Sequence, residues 1–117
     1  MKLRIRNTSK NTVLATAADV ADTSAKRNVG LLRHKSLPEG EGLLITPSEG
    51  VHTVGMKFPI DVLFLSRKRE VLKLRASMVP FRIALCLRAH SVLELPAGTA
   101  AATATAPGDT LEFEPLD

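Results

Sequence analysis

The chain has 117 residues, of which 44% are hydrophobic and 24% charged, with 7 Gly and 7 Pro. This composition fits one ordinary globular domain spanning 1–117 and excludes a disulfide scaffold, a collagenous chain and a membrane span. The net charge of +4 is uneven: residues 1–88 hold all 16 basic residues and 7 acids, whereas residues 89–117 hold 5 acids and no base. Trp and Tyr are absent and Phe occurs only 4 times, which removes the stacking surfaces that bases and sugars use.

Leu3 and Ile5 alternate with Lys2, Arg4 and Arg6, a period of two that predicts a strand with one apolar and one cationic face. Such a face suits an edge strand, because charge discourages edge-to-edge pairing. The polar run Asn7-Thr8-Ser9-Lys10-Asn11 follows, so no secretory leader forms and a cytoplasmic protein is expected. Asp22, Thr23 or Ser24 can cap a helix in which Ala25, Val29 and Leu32 recur at helical spacing. Arg33, His34 and Lys35 complete its last turn. Turn chemistry returns at Pro38–Gly42 and Pro47–Gly50.

Asp61-Val62-Leu63-Phe64-Leu65 is a continuous run with no solvent face, the pattern of a strand buried on both sides. Ser66–Glu70 reads as a hairpin loop into a second strand, where Leu72, Leu74 and Ala76 alternate with Lys73 and Arg75. Segment 79–90 is ambiguous: Phe81, Ile83, Leu85 and Leu87 alternate, yet Pro80 precedes them. The single cysteine, Cys86, lies among apolar neighbours and is expected to pack rather than react. Leu93 and Leu95 flank Glu94, and Leu111 and Phe113 flank Glu112, giving two more strands. The Ala/Thr run Thr99–Ala106 is read as a weak strand or a close-packed loop. Together these predict a mainly β fold, a small β-barrel or jelly-roll-like sandwich with one short helix near residues 23–34.

Recognisable chemistry is sparse. His34, His52 and His90 are isolated from one another and from the cysteine, so no metal site is predicted. Neither a nucleophile elbow nor a phosphate-binding loop occurs, and no cofactor is expected. The acidic C-terminal strands can pair with the basic ones, and this argues against nucleic acid as a partner.

The densest segment is His52–Asp61, which places an imidazole, a hydroxyl, an ammonium and a carboxylate within ten residues. Asp61 opens an apolar strand, so its carboxylate needs a specific partner: His52, Lys57 or backbone N–H groups. A purely structural role for Asp61 and His52 is weighed against a His52–Asp61 acid/base pair and against a passive ligand rim.

The run His52-Thr53-Val54-Gly55-Met56-Lys57-Phe58-Pro59-Ile60-Asp61-Val62-Leu63-Phe64-Leu65 resembles the signature of a prokaryotic family, domain of unknown function 192. Ala25–Leu32, Gly42–Ile45, Val92–Thr99 and Pro107-Gly108-Asp109 resemble further blocks of that family in the same order. The resemblance implies a small, mainly β barrel or sandwich with one short helix, and it transfers no catalytic residue. The family's recurrent positions fall on Gly30, Leu31, His52, Met56, Pro59, Asp61, Glu94, Gly98, Gly108 and Asp109. Val54 stands where an aromatic is usual and Leu32 where methionine is usual; both keep apolar volume.

The leading expectation is a non-enzymatic β module that binds a small ligand or a protein partner. Its rim would be His52, Thr53, Met56, Lys57 and Asp61. The alternatives are an acid/base enzyme using His52 and Asp61, and weak polyanion binding by a basic face of Lys2, Arg4, Arg6, Lys73 and Arg75.

Overall fold

A computed structural model describes residues 1–116. Within them the order is β1 (Lys2–Asn7), β2 (Thr12–Ala21), α1 (Ser24–Val29), β3 (Glu41–Ile45), β4 (Gly50–His52), β5 (Ile60–Leu65), β6 (Val71–Met78), β7 (Ile83–Leu85), β8 (Ser91–Pro96), α2 (Thr99–Ala102) and β9 (Leu111–Pro115). Seven strands form one curled sheet, a half-barrel, in the order β6-β5-β8-β3-β2-β1-β9. β4 and β7 form a separate antiparallel ribbon. β2 and β3 pair in parallel, because α1 carries the chain back across the sheet between them. The mainly β architecture agrees with the alternation in the sequence.

The sheet is apolar on both faces, and each face has its own core. Leu3, Ile5, Leu14, Leu44, Leu63, Leu65, Leu93 and Leu95 belong to the core inside the curl. Leu31, Leu43, Ile45, Met56, Ile60, Val62, Phe64, Ala84 and Val92 form the other. β5 shows why its sequence is continuous: Leu63 and Leu65 enter the first core, while Ile60, Val62 and Phe64 enter the second. All six of its residues are buried. The second core is roofed by the β4–β7 ribbon, the 53–58 loop and the segment following α1.

The ends of the curled sheet are tied by Val71 N–H donating to Asp109 O at 2.8 Å and by Leu111 N–H donating to Arg69 O at 2.9 Å. Below this seam the Asp109 carboxylate accepts from Asn7 Nδ2 (2.9 Å), Lys10 Nζ (2.9 Å) and Ala106 N–H (3.0 Å). Hydrogen bonds from Asn7 and Lys10 hold its carboxyl below the usual range.

Several local expectations change. β1 is flanked by β2 and β9 and is therefore not an edge. Its basic residues Arg4 and Arg6 stand opposite Glu114 and Glu112, so the acidic C-terminal strand screens them across the pair. The helix ends at Val29: Thr23 caps it by accepting from Lys26 N–H, and Gly30, at φ 49°, donates back to Lys26 O. Arg33, His34 and Lys35 lie beyond it. The Ala/Thr run begins as the one-turn helix α2 rather than as a strand. β2, the longest strand at 10 residues, has no counterpart in the sequence reading.

Candidate functional site

The site begins with a residue in the wrong chemical company. In β8, Leu93 and Leu95 point into the inner core and Val92 into the outer one. Strand alternation therefore sends Glu94 to the outer core as well. Its cross-strand neighbours are Leu43 of β3 and Val62 of β5, so a carboxyl group sits mid-sheet between two aliphatic side chains. Glu94 is 3% exposed, and its Oε1 is buried without a hydrogen-bond partner among the described residues. Burial pushes its carboxyl up to about 7, because desolvation penalises the charged form.

An unpaired buried carboxyl is costly and is uncommon without a reason. Here it opens onto a cavity of about 280 Å³. The walls are the C-terminal half of α1 with Gly30, Leu31 and Leu32, the end of β3 with Ile45 and Pro47, and Val51 and His52 of β4. Met56 closes one side. Gly55, at φ 84°, lets the 53–56 loop turn over the cavity; a Cβ there would meet Leu32 Cδ2 at 3.5 Å. Arg27 contributes from the rim, held by Thr46 O and Ser24 Oγ, both at 3.3 Å. A larger hollow of about 420 Å³ lies between β2 and α2, but Glu39 is its only charged residue and that side chain is exposed.

The five residues singled out in the sequence separate into two groups. His52 and Met56 line the cavity. Thr53, Lys57 and Asp61 do not. Thr53 is fully buried, with Oγ1 donating to Val79 O (2.7 Å) and accepting from Arg82 N–H (2.8 Å). It clamps the loop after β4 to the segment before β7. Lys57 is exposed to solvent.

Asp61 is fully buried, but its partners are backbone groups. Oδ1 accepts from Ser77 N–H and Oδ2 from Ala100 N–H, both at 2.8 Å. It thereby fastens β6 and the first turn of α2 to β5. No hydrogen bond joins His52 to Asp61 among the described residues; the Asp61 carboxylate is engaged by backbone N–H groups instead.

Glu94 is the site residue that the strand pattern passed over, although the family resemblance includes its position. Between Leu93 and Leu95 it read as the solvent side of an alternating strand, an inference that fails when both sheet faces are covered. Two signals were available: its place among the family's recurrent positions, and the one applied to Asp61, an acid inside a run that is otherwise apolar.

Among the described residues, no group of three or more His, Cys, Asp or Glu can hold a metal. No helix there is long and apolar enough to cross a membrane.

Fold and site together define a class: a small β half-barrel whose second core contains a cavity floored by an acid. The chain belongs to the family of domain of unknown function 192, described as uncharacterized ACR, whose model matches residues 5–113. No curated protein matches it.

The fold is similar to that of solved crystal structures, among them these two. One is a protein of unknown function from Novosphingobium aromaticivorans DSM 12444, with 25% identity, a TM-score of 0.82, and 96% of this chain and 84% of that one covered. The other is a candidate transcription regulator from Sinorhizobium meliloti 1021, with 23% identity, a TM-score of 0.83, and coverage of 96% and 92%. The second likeness is one of fold alone.

Proposed function

We propose that this chain is a non-enzymatic binding module. It takes a small organic molecule into the cavity over Glu94, and a donor group of that molecule pairs with the carboxyl. The observation that carries this reading is a buried carboxyl, its Oε1 unpartnered, on a residue that lines a concave site. A ligand amine, amide or hydroxyl hydrogen supplies the bond that the protein leaves unmade. The volume falls at the small end for ligand pockets, which favours a compact metabolite over an oligomer. His52, Met56 and Arg27 form the rim, with Arg27 offering a cation to any acceptor at the ligand's outer end. Of the residues expected from the sequence, Thr53 supports this rim from behind, and Asp61 braces β5 against β6 and α2.

The test is a ligand-observed NMR screen of small amines, amides and alcohols, each paired with an isostere that lacks the donor. Donor-bearing probes should bind wild type and lose binding in Glu94→Leu, which fills the site without a carboxyl. Equal binding of the donorless isosteres, or binding that survives Glu94→Leu, refutes the proposal.

Polyanion binding is less well supported. Lys2 is paired with Asp19 at 2.9 Å and Arg6 with Glu112 at 3.5 Å, so part of the expected basic face is already neutralised.

A further inference from the structure

A second feature, independent of the cavity, lies in the ribbon. β7 inverts the usual burial of a strand. Ala84 is packed into the outer core, while Ile83 and Leu85 face outward, 67% and 57% exposed. Phe81 before them and Leu87 after them continue the row at 70% and 76%. On the order of 400 Å² of apolar side chain is thus exposed along this segment, a size at which monomer patches are often functional.

The backbone beside this row also lacks a second strand. β7 pairs with β4 and with no other strand of the described residues. Thr53 N–H donates to Arg82 O and Cys86 N–H to Glu49 O, so the even-numbered residues face β4. Alternation then turns the N–H groups of Ile83 and Leu85 away from it. Leu85 O on that free side accepts from Lys73 Nζ at 2.8 Å.

The contrast with β9 is informative. That strand ends the large sheet and exposes Glu112 and Glu114 before finishing in Pro115, the usual protection of an edge. β7 has an apolar row and two amides turned away from β4 instead, with one carbonyl, Leu85 O, held by Lys73.

Charge selects the occupant. From Val71 to Leu93 the chain contains Lys73, Arg75, Arg82 and Arg88 and no acid, and Glu49, which meets Cys86, lies on the β4 side of the ribbon. A second copy of the same edge would set these cations against one another, and like charges across a ladder are destabilising. An extended segment with alternating apolar and acidic residues matches the row, the ladder and the charge at once.

We propose that β7 is a docking edge for such a segment of a partner protein, added as an antiparallel strand beside Ile83 and Leu85. Main-chain bonds provide the register, Phe81, Ile83, Leu85 and Leu87 the apolar contact, and Lys73 and Arg82, which reach Leu85 O and Phe81 O, the preference for acids.

The experiment pans a displayed library of random nonapeptides on the full chain. The enriched peptides are then synthesised and titrated by fluorescence anisotropy. Enriched sequences should alternate apolar residues with Asp or Glu, and binding should slow hydrogen exchange at the Ile83 and Leu85 amides. Ile83→Glu should weaken binding at least ~30-fold and Ile83→Ser less, because the first adds repulsion to lost contact. Val13→Glu, which changes an exposed apolar residue on β2, should leave binding unchanged. Enrichment of sequences without acids, no enrichment, or unaltered exchange at both amides overturns the proposal. Two further outcomes overturn it in favour of another occupant: a dimer in sedimentation velocity that Ile83→Glu dissociates, or binding only to phosphatidylserine-containing vesicles.

Discussion

Replacing Glu94 with Gln should make the protein more stable at pH 8 and should remove most of its pH dependence above pH 5. In the folded chain the carboxyl ionises at about 7, against an ordinary value of 4.5. A group whose folded pKa is raised in this way keeps its proton after the unfolded chain has released one. Stability therefore falls as pH rises from about 4.5 and levels off once the folded form has also ionised, near pH 8. At about 1.4 kcal/mol per pH unit between those two values, the loss amounts to about 3 kcal/mol. For a domain of this length that corresponds to a Tm difference on the order of 12 °C.

Gln keeps the shape without the charge. Its amide still lacks partners in the apolar wall, so the gain at pH 8 should approach this figure without reaching it. The assay is urea and thermal unfolding of both proteins at pH 5, 6, 7, 8 and 9. Parallel pH profiles, or a wild type that gains stability between pH 5 and pH 8 relative to the variant, would refute the assignment of Glu94 as a buried, unpaired acid.

Other substitutions probe the supports of the site. Asp61→Ala removes both acceptors for Ser77 and Ala100 N–H and should destabilise by about 3 kcal/mol in urea unfolding; a change below 1 kcal/mol contradicts its anchoring role. Thr53→Val keeps the volume but deletes the hydroxyl clamp. It should cost about 1–3 kcal/mol and speed hydrogen exchange at Arg82, whose amide it leaves unpaired. The Asp109 carboxyl titrates below its ordinary range, so its contribution is present above the unfolded value and lost as pH falls through the folded one. Asp109→Asn should therefore flatten the acid limb of the stability profile, and an unchanged limb would show that the carboxylate contributes little.

How much of this was legible in the sequence follows from where each residue pattern is set. β1, β6, β8 and β9 declare themselves by period-two alternation, and β5 by a run too apolar to have a wet face. β2 does not, since small residues such as Ala15, Ala17 and Ala18 carry little strand preference and are recruited by pairing with β1 and β3. α1 is shorter than its spacing suggests because Gly30 adopts a positive φ and closes it. The site was half visible. His52 and Met56 fall in a dense segment of the sequence, whereas Glu94, marked there by the family resemblance alone, gains a physical meaning once Leu43 and Val62 are known to flank it from distant strands. Asp61 attracted attention for a sound reason, its need for partners, but the backbone amides of Ser77 and Ala100 supply them. The exposed row of β7 lies in the segment whose alternation was visible but whose outward direction was not; only the burial of Ala84 decides it.

The central claim is that Glu94 is an unpaired acid waiting for a ligand's donor group, and the most direct measurement is the titration of its side-chain carboxyl by ¹³C NMR. In the free protein the midpoint should lie near 7, and a saturating amine probe that binds the cavity should lower it, since the bound cation favours the charged form. A midpoint near 4.5 in the free protein, or one that no cavity-binding probe moves, would contradict the account.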